Sequence, residues 1–386
     1  MRICLVYDCL FPHTVGGAER WYRRLGEQLA AEGHEVTYLT LRQWRRGTPA
    51  HIGGVDVRAV GPQMSLYSSP GQRRILPPII FGTGVFWHLL RYGNRYDVVH
   101  TASFPYFSLL AAGAVRPLRR FRLVVDWHEF WTLTYWQEYL GRVGGLIGWA
   151  IQSLCLRIPQ RSFCFSSLHS RRLLECGIRG RVTVLEGEYE GPQAEAPTPP
   201  APEVVFAGRH IPEKRAAAVV PAVVLASKDI PGLKGVIFGD GPDRPRTLAE
   251  IRRHRAEEII EAPGFVPSEQ VDRTLRRALC MVLPSRREGY GLIVVEASAL
   301  GVPSVVVRAP DNAATELIQE GVNGTVANSA EPEELAAAIL RVHRGGDGLR
   351  ASTAAWYRQN AERLSLRNSL EQVLSTYDGT PRNGHR

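Results

Sequence analysis

The chain has 386 residues, 44% hydrophobic and 22% charged, with a formal net charge of +9. It is too long for a single core of about 100–200 residues and too apolar for general disorder, so two domains are expected. All the net charge falls in residues 1–190, where 23 arginines and no lysine face 14 acids; this fits an anionic partner such as a polyphosphate, a membrane surface or a nucleic acid, or solvated arginine with no partner at all.

The N-terminus opens directly into an apolar run, Ile3–Tyr7. It has no long apolar core of the signal-peptide kind, and no stretch approaches the ~20 apolar residues of a transmembrane helix, so an intracellular protein is expected. The six cysteines, Cys4, Cys9, Cys155, Cys164, Cys176 and Cys280, show no CxxC or zinc-type spacing and read as buried reduced thiols. After the first run comes Val15-Gly16-Gly17-Ala18-Glu19. Glycines there let a backbone approach a phosphate at a helix N-terminus, although a tight turn reads the same way. Trp21, Leu25 and Leu29 recur every four residues and define a helix ending at Gly33, ahead of a second strand at Val36–Leu39.

Strands are further expected at Val98–His100, Leu123–Asp126, Phe163–Phe165 and Val182–Leu185. Their alternation with helical segments predicts a parallel α/β sheet. Val124-Val125-Asp126-Trp127-His128-Glu129 carries a histidine just past a strand end, while His100 reads as structural. The segments Arg73–Arg91 and Leu146–Arg157 are apolar, aromatic and arginine-flanked; they fit either an anionic bilayer or ordinary core and interdomain surface. The cluster Trp127, Phe130, Trp131, Tyr135, Trp136 and Tyr139 fits a sugar-stacking surface or a packed helix face equally well.

Five prolines between Glu190 and Pro202 mark a linker at 191–202. The alternation restarts with Val204–Phe206, Val236–Phe238, Met281–Leu283 and Ser304–Val307, with helices at Pro267–Arg277 and Glu331–Arg344. Three turns follow strand ends in this half. Gly208-Arg209-His210-Ile211-Pro212-Glu213-Lys214 brings two cations to a sheet edge, Gly239-Asp240-Gly241-Pro242 is a tight turn, and Ser285-Arg286-Arg287-Glu288-Gly289-Tyr290-Gly291 leads into an apolar helix from Leu292. In open parallel sheets ligands bind at this edge. Free amides at Gly291–Ile293 suit a diphosphate, and Glu288 and Glu296 can accept hydrogen bonds from sugar or ribose hydroxyls. The residues from about 354 to 377 have helical character, and the last nine look frayed.

Taken in order, Gly208-Arg209…Glu213-Lys214, Gly239-Asp240-Gly241-Pro242, Gly264-Phe265-Val266, Glu288-x7-Glu296 and Gly301-Val302-Pro303 resemble the retaining glycosyltransferases of family 4. The resemblance implies the GT-B fold: two facing Rossmann-like domains with parallel sheets and a cleft between them. It places an acceptor-side domain at 1–190 and a donor domain at 203–353, with the helix at 354–377 packing back on the first. It implies that Arg209 and Lys214 hold the donor diphosphate, with Gly239, Gly289, Tyr290, Gly291, Leu292 and Ile293 around it. Glu296 would then take the ribose, Glu288 the donor sugar, and the Phe265–Val266 backbone the base. Gly16-Gly17 would face the diphosphate and His128 the reacting carbon. Two segments depart from the family pattern, Leu185-Glu186-Gly187-Glu188-Tyr189-Glu190 at the hinge and Asp311-Asn312-Ala313-Ala314-Thr315-Glu316 in a sugar-contacting loop.

The function so implied is transfer of a sugar from a nucleoside diphosphate sugar to a hydroxyl acceptor, in polysaccharide, glycolipid or secondary-metabolite synthesis. No Asp-x-Asp motif is present, so neither metal nor other cofactor is expected. Expected partners are the donor and a sugar, lipid-linked or small-molecule acceptor, with an anionic membrane surface against the basic half and no nucleic acid. The expected location is the cytoplasm, including the inner face of the cell membrane. The alternatives are a GT-B nucleotide-sugar epimerase, a phosphorylase or a non-catalytic nucleotide-sugar-binding protein.

Overall fold

The computed structural model describes residues 1–14, 16–44, 50–66, 73–193 and 199–378. Val15, the middle of the proline-rich stretch and, apart from Asp378, the tail read as frayed lie outside these residues. The chain forms two compact units. The first takes the described residues up to Glu186 together with the chain from Ser369, and the second takes Gly187–Asn368.

In the first unit the elements run β1 (Arg2–Val6), α1 (Gly17–Ala31), β2 (Glu35–Leu41), β3 (Val55–Gly61), α2 (Leu76–Tyr92), β4 (Val98–Ala102) and α3 (Tyr106–Arg119). They continue with β5 (Arg122–Trp127), α4 (Leu133–Leu156), β6 (Gln160–Cys164), α5 (Ser167–Glu175) and β7 (Gly180–Val184). The sheet is wholly parallel in the order β3-β2-β1-β4-β5-β6-β7. The central strands are apolar because helices cover both faces: Ile3, Leu5, Val98, Val99 and Val125 are fully buried. Trp21, Leu25 and Leu29 pack α1 onto this core. Gly33, at φ +80°, closes the helix while His34 N–H bonds Leu29 O.

In the second unit the order is β8 (Glu203–Ala207), α6 (Val219–Ala226), β9 (Lys234–Phe238), α7 (Arg244–Arg253), β10 (Ile260–Gly264), α8 (Ser268–Arg277) and β11 (Cys280–Leu283). There follow β12 (Arg287–Glu288), α9 (Leu292–Ala299), β13 (Ser304–Val307), β14 (Asp311–Asn312), β15 (Gly324–Ala327), α10 (Pro332–Asn360) and α11 (Leu366–Asp378). The parallel sheet runs β10-β9-β8-β11-β13-β15, and β12 pairs with β14 apart from it. Helix α10 is interrupted at Gly346, and residues 354–360 belong to it; the part of α11 grouped with the first unit begins at Ser369.

One residue-level reading needs correction, and one left open falls to packing for most of its members. Cys176 is exposed, at the C-terminus of α5, whereas the other five cysteines are buried; none is in a disulfide. Of the aromatic cluster, Trp127, Phe130, Tyr135 and Trp136 are core, leaving only Trp131 and Tyr139 half-buried. Four of the six rings therefore pack inside and present no stacking surface. Among the described residues no helix is long and apolar enough to cross a membrane.

Candidate donor site

In the second sheet the strand order reverses between β8 and β11, so the loops leaving these strands diverge to opposite faces and open a crevice between them. The first loop carries Arg209 and Lys214, the second Ser285–Gly291. They meet directly. Lys214 Nζ donates to both oxygens of Glu288, at 2.5 and 2.6 Å, and Arg286 N–H bonds Glu213 O at 2.9 Å. With side chains only 24% and 8% exposed, this ion pair is little screened. The residues read as phosphate and sugar ligands thus form one charge-compensated unit.

Gly291 caps α9 at φ +106°, and a Cβ on it would lie 2.6 Å from that of Ala314. Glycine lets the loop turn sharply into the helix, whose first amides have no intrahelical acceptor. Leu292 and Ile293 are half-buried on this turn, Tyr290 is buried beneath it, and Glu296 lies one turn further, half-buried. Gly239, at φ +113°, passes so close to Gly208 that a Cβ would overlap the Gly208 carbonyl oxygen. His210 N–H then bonds Asp240 O at 2.9 Å, which binds this turn to the loop bearing Arg209. Past β10, Phe265 is 73% exposed and Val266 half-buried.

The part played by Asn312 was not foreseen from the sequence. Its side-chain amide donates to Ser285 O at 3.0 Å and Val307 O at 2.8 Å, and its Oδ1 accepts from Ala314 N–H. One buried side chain therefore fixes the departing Asp311–Glu316 loop against the loop of Glu288. A short amide after a buried strand was the only signal available. Tyr189, in the departing hinge segment, was missed as well. Burial, then the Glu296 carboxylate, pushes its phenol up.

In the first unit, Gly16 is the N-cap of α1 with extended backbone, and the Glu19 carboxylate folds over it, so a Cβ there would overlap Oε2. Gly17 faces open space. His128 follows β5, its ring stacked on Phe165 at 4.8 Å and edge-on to Tyr22 at 6.3 Å. Its Nε2 is enclosed and has no hydrogen-bond partner among the described residues. Burial lowers the pKa of His128, against the opposing pull of Asp126 and Glu129, so the ring is neutral at physiological pH. Two residues earlier, Asp126 accepts from Trp21 Nε1 at 2.8 Å and pairs with His100 Nε2 at 2.7 Å, while His100 Nδ1 bonds the Tyr377 hydroxyl of α11 at 2.5 Å. Burial alone would raise Asp126; His100, His128 and Trp21 outweigh it and hold the carboxyl below its usual range. His100 is fully buried between Asp126 and Tyr377.

Two parallel doubly wound units, the second with a lysine–carboxylate pair and a helix N-terminus at its switch point, define the GT-B class of glycosyltransferase folds. Residues 192–362 match the family described as Glycosyl transferases group 1, and residues 15–186 match Glycosyltransferase Family 4. The chain belongs to these family 4, group 1 glycosyltransferases. It is 30% identical to D-inositol 3-phosphate glycosyltransferase of Jonesia denitrificans over 47% of this chain and 44% of that one. It is 24% identical to glycogen synthase of Mycobacterium tuberculosis over 97% of this chain and 93% of that one. The chain spans less than half the length of the first curated relatives it matches. Among solved structures, sucrose-phosphate synthase from Thermosynechococcus elongatus superposes with TM-score 0.78 at 18% identity, covering 98% of both chains. Anabaena HepE in complex with UDP gives 0.71 at 17% identity, covering 98% of this chain and 100% of that one.

Proposed function

We propose that the chain transfers a sugar from a nucleoside diphosphate sugar to a hydroxyl acceptor, with retention of configuration and without a metal ion. The observation that carries this reading is the Lys214–Glu288 pair at the switch point of the second sheet, beside the N-terminus of α9. In this reading the diphosphate lies on the amides of Gly291, Leu292 and Ile293, flanked by Gly239, Gly289 and Tyr290, and Arg209 and Lys214 neutralise it as it leaves. Glu296 takes the ribose hydroxyls, the Phe265–Val266 backbone the base, and Glu288 the donor sugar. Gly16-Gly17 approach the phosphates, and neutral His128 meets the sugar near its reacting carbon.

As the bond from the anomeric carbon to the phosphate oxygen breaks, its electron pair stays with the diphosphate. The acceptor oxygen bonds the same face of that carbon, and its proton passes to a leaving phosphate oxygen. No protein nucleophile takes part, and fixed cations and amides supply the stabilisation that a metal gives elsewhere. We place the protein in the cytoplasm, at the inner face of the membrane, with a lipid-linked acceptor; the basic first half supports this.

The stereochemical claim is tested by proton NMR of the first-formed sugar product from an α-linked nucleotide sugar, with chelator present. An α product at an undiminished rate is expected. A β product, or activity lost to chelator and restored by a divalent ion, contradicts the retaining or the metal-free part respectively.

A further inference from the structure

The first unit leaves a large apolar surface uncovered. Among the described residues, every exposed large hydrophobic side chain except Phe265 belongs to α2, α3, α4, α5 or the residue that caps α2. These helices share one side of the sheet. The connections β3→β4, β4→β5, β5→β6 and β6→β7 all step the same way along the strand order, and right-handed crossovers put their helices on one face. The helix α1 steps the other way. Tyr377 of α11 bonds His100 beside Tyr22 of α1, so α11 lies on the α1 side.

Within this face the exposed residues form stripes. On α2, Leu76, Ile79 and Trp87 fall within about a quarter turn of one another at 3.6 residues per turn, and Trp87 is 63% exposed. Phe81, Val85 and Leu89 occupy the inner side. Gly82 and Gly84 bring that side so close to Phe107 and the Val60 carbonyl that a Cβ would overlap them. Beyond the break at Gly141, α4 repeats the arrangement with Val143, Leu146, Ile147 and Leu154. The charges on these helices are one-sided. The helices α2 and α3 contain no acid, and across the four helices six arginines oppose only Glu138 and Glu175. Arg74, Arg120 and Arg157 add exposed cations at helix ends.

We infer that this face docks on an anionic lipid bilayer, the apolar stripes entering the headgroup boundary and the arginines pairing with lipid phosphates. Charge complementarity selects this occupant. A second copy meeting the same face across a two-fold axis would set arginines against arginines with few acids to offset them. The inference rests on the membrane part of the proposed function and is independent of the transfer chemistry.

The test is cosedimentation of the full chain with phosphatidylcholine vesicles, with and without phosphatidylglycerol, over a salt series. The wild type should pellet only with anionic vesicles, and less as salt rises. Trp87→Glu and Ile147→Glu, both on open surface, should each lower the partition coefficient about tenfold or more, and Arg74→Glu with Arg91→Glu by about fivefold per arginine. Arg253→Glu on the second unit makes the same charge change and should leave binding within about twofold. Wild type that stays in solution with anionic vesicles overturns the inference, as does binding indifferent to Trp87→Glu and Ile147→Glu. A dimer in solution dissociated by Trp87→Glu overturns it in favour of a second copy. Calorimetric nucleotide binding by Trp87→Glu, unchanged from wild type, separates loss of docking from loss of the donor site.

Discussion

Changing Glu288 to alanine would leave the Lys214 ammonium without the two oxygens that hold it at 2.5 and 2.6 Å. The pair is neither fully buried nor exposed, so the loss in stability should be about 2 kcal/mol, between the two limits. The loss in turnover should be larger, because the lysine then drifts from the diphosphate it neutralises. Glu288→Gln keeps one acceptor and should bind nucleotide nearly as well as wild type while turning over at least about tenfold more slowly. Equal loss of binding in Glu288→Gln and Glu296→Ala would show that the two glutamates do not divide the work as assigned. Asp126 provides a pH-dependent counterpart. With its carboxyl held low in the folded chain, the stability it supplies is present above the ordinary aspartate range near pH ~4 and lost as pH falls through the folded value. Asp126→Asn should therefore lower the urea midpoint strongly at neutral pH and progressively less in acid. A gap that stays constant with pH would contradict the His100–Asp126–Trp21 arrangement.

At the scale of elements, the turns that shape the site depend on glycine. Gly291→Ala forces a side chain onto φ +106° and toward Ala314, and should cost about 1–3 kcal/mol together with nucleotide affinity. Thermal melts and calorimetry read both quantities, and a Gly291→Ala chain with wild-type values would contradict the geometry of the α9 N-terminus. The same scale shows what the sequence makes legible. Apolar runs located the central strands to within three residues at either end, as Ile3–Tyr7 does for Arg2–Val6 and Phe163–Phe165 for Gln160–Cys164. The three strands of the two main sheets that went unread, β3, β10 and β15, are all sheet edges. An edge strand has one open side, so it need not be a continuous apolar run: Val55–Gly61 is largely half-exposed, and Ile260–Gly264 carries a glutamate and a proline. Motif order located the loops of the site for a similar reason, because each follows a buried strand end. The side-chain links between loops, Asn312 above all, were illegible because they join residues far apart in the chain.

At the scale of the whole molecule, the chain passes between units near Glu186 and again near Ser369. Inside the second unit, the segments next to these two points pair with each other. Tyr189 N–H bonds Leu364 O at 3.2 Å, Leu366 N–H bonds Tyr189 O at 2.9 Å, and Gly187 lies so near Ser365 that a Cβ would overlap its carbonyl oxygen. In the segment that departs from the family hinge pattern, Leu185–Glu190, Tyr189 thus pairs with Leu364–Leu366 inside the second unit. Gly187→Val should push the paired segments apart and lower the melting midpoint by several degrees, as about 1–3 kcal/mol does in a chain of this size. A scan unchanged in midpoint and width would contradict this pairing.

The proposed transfer requires the second unit to hold a nucleoside diphosphate through the α9 N-terminus, Lys214 and Glu296. Metal-free calorimetric titration of the full chain with UDP, GDP, ADP and dTDP, in parallel with Glu296→Ala, tests it most directly. Selective binding of one nucleotide is expected, weakened about tenfold or more in the variant as a lost charge-assisted pair of hydrogen bonds requires. A folded chain that binds none of the four, or a Glu296→Ala chain that binds as well as wild type, would contradict it.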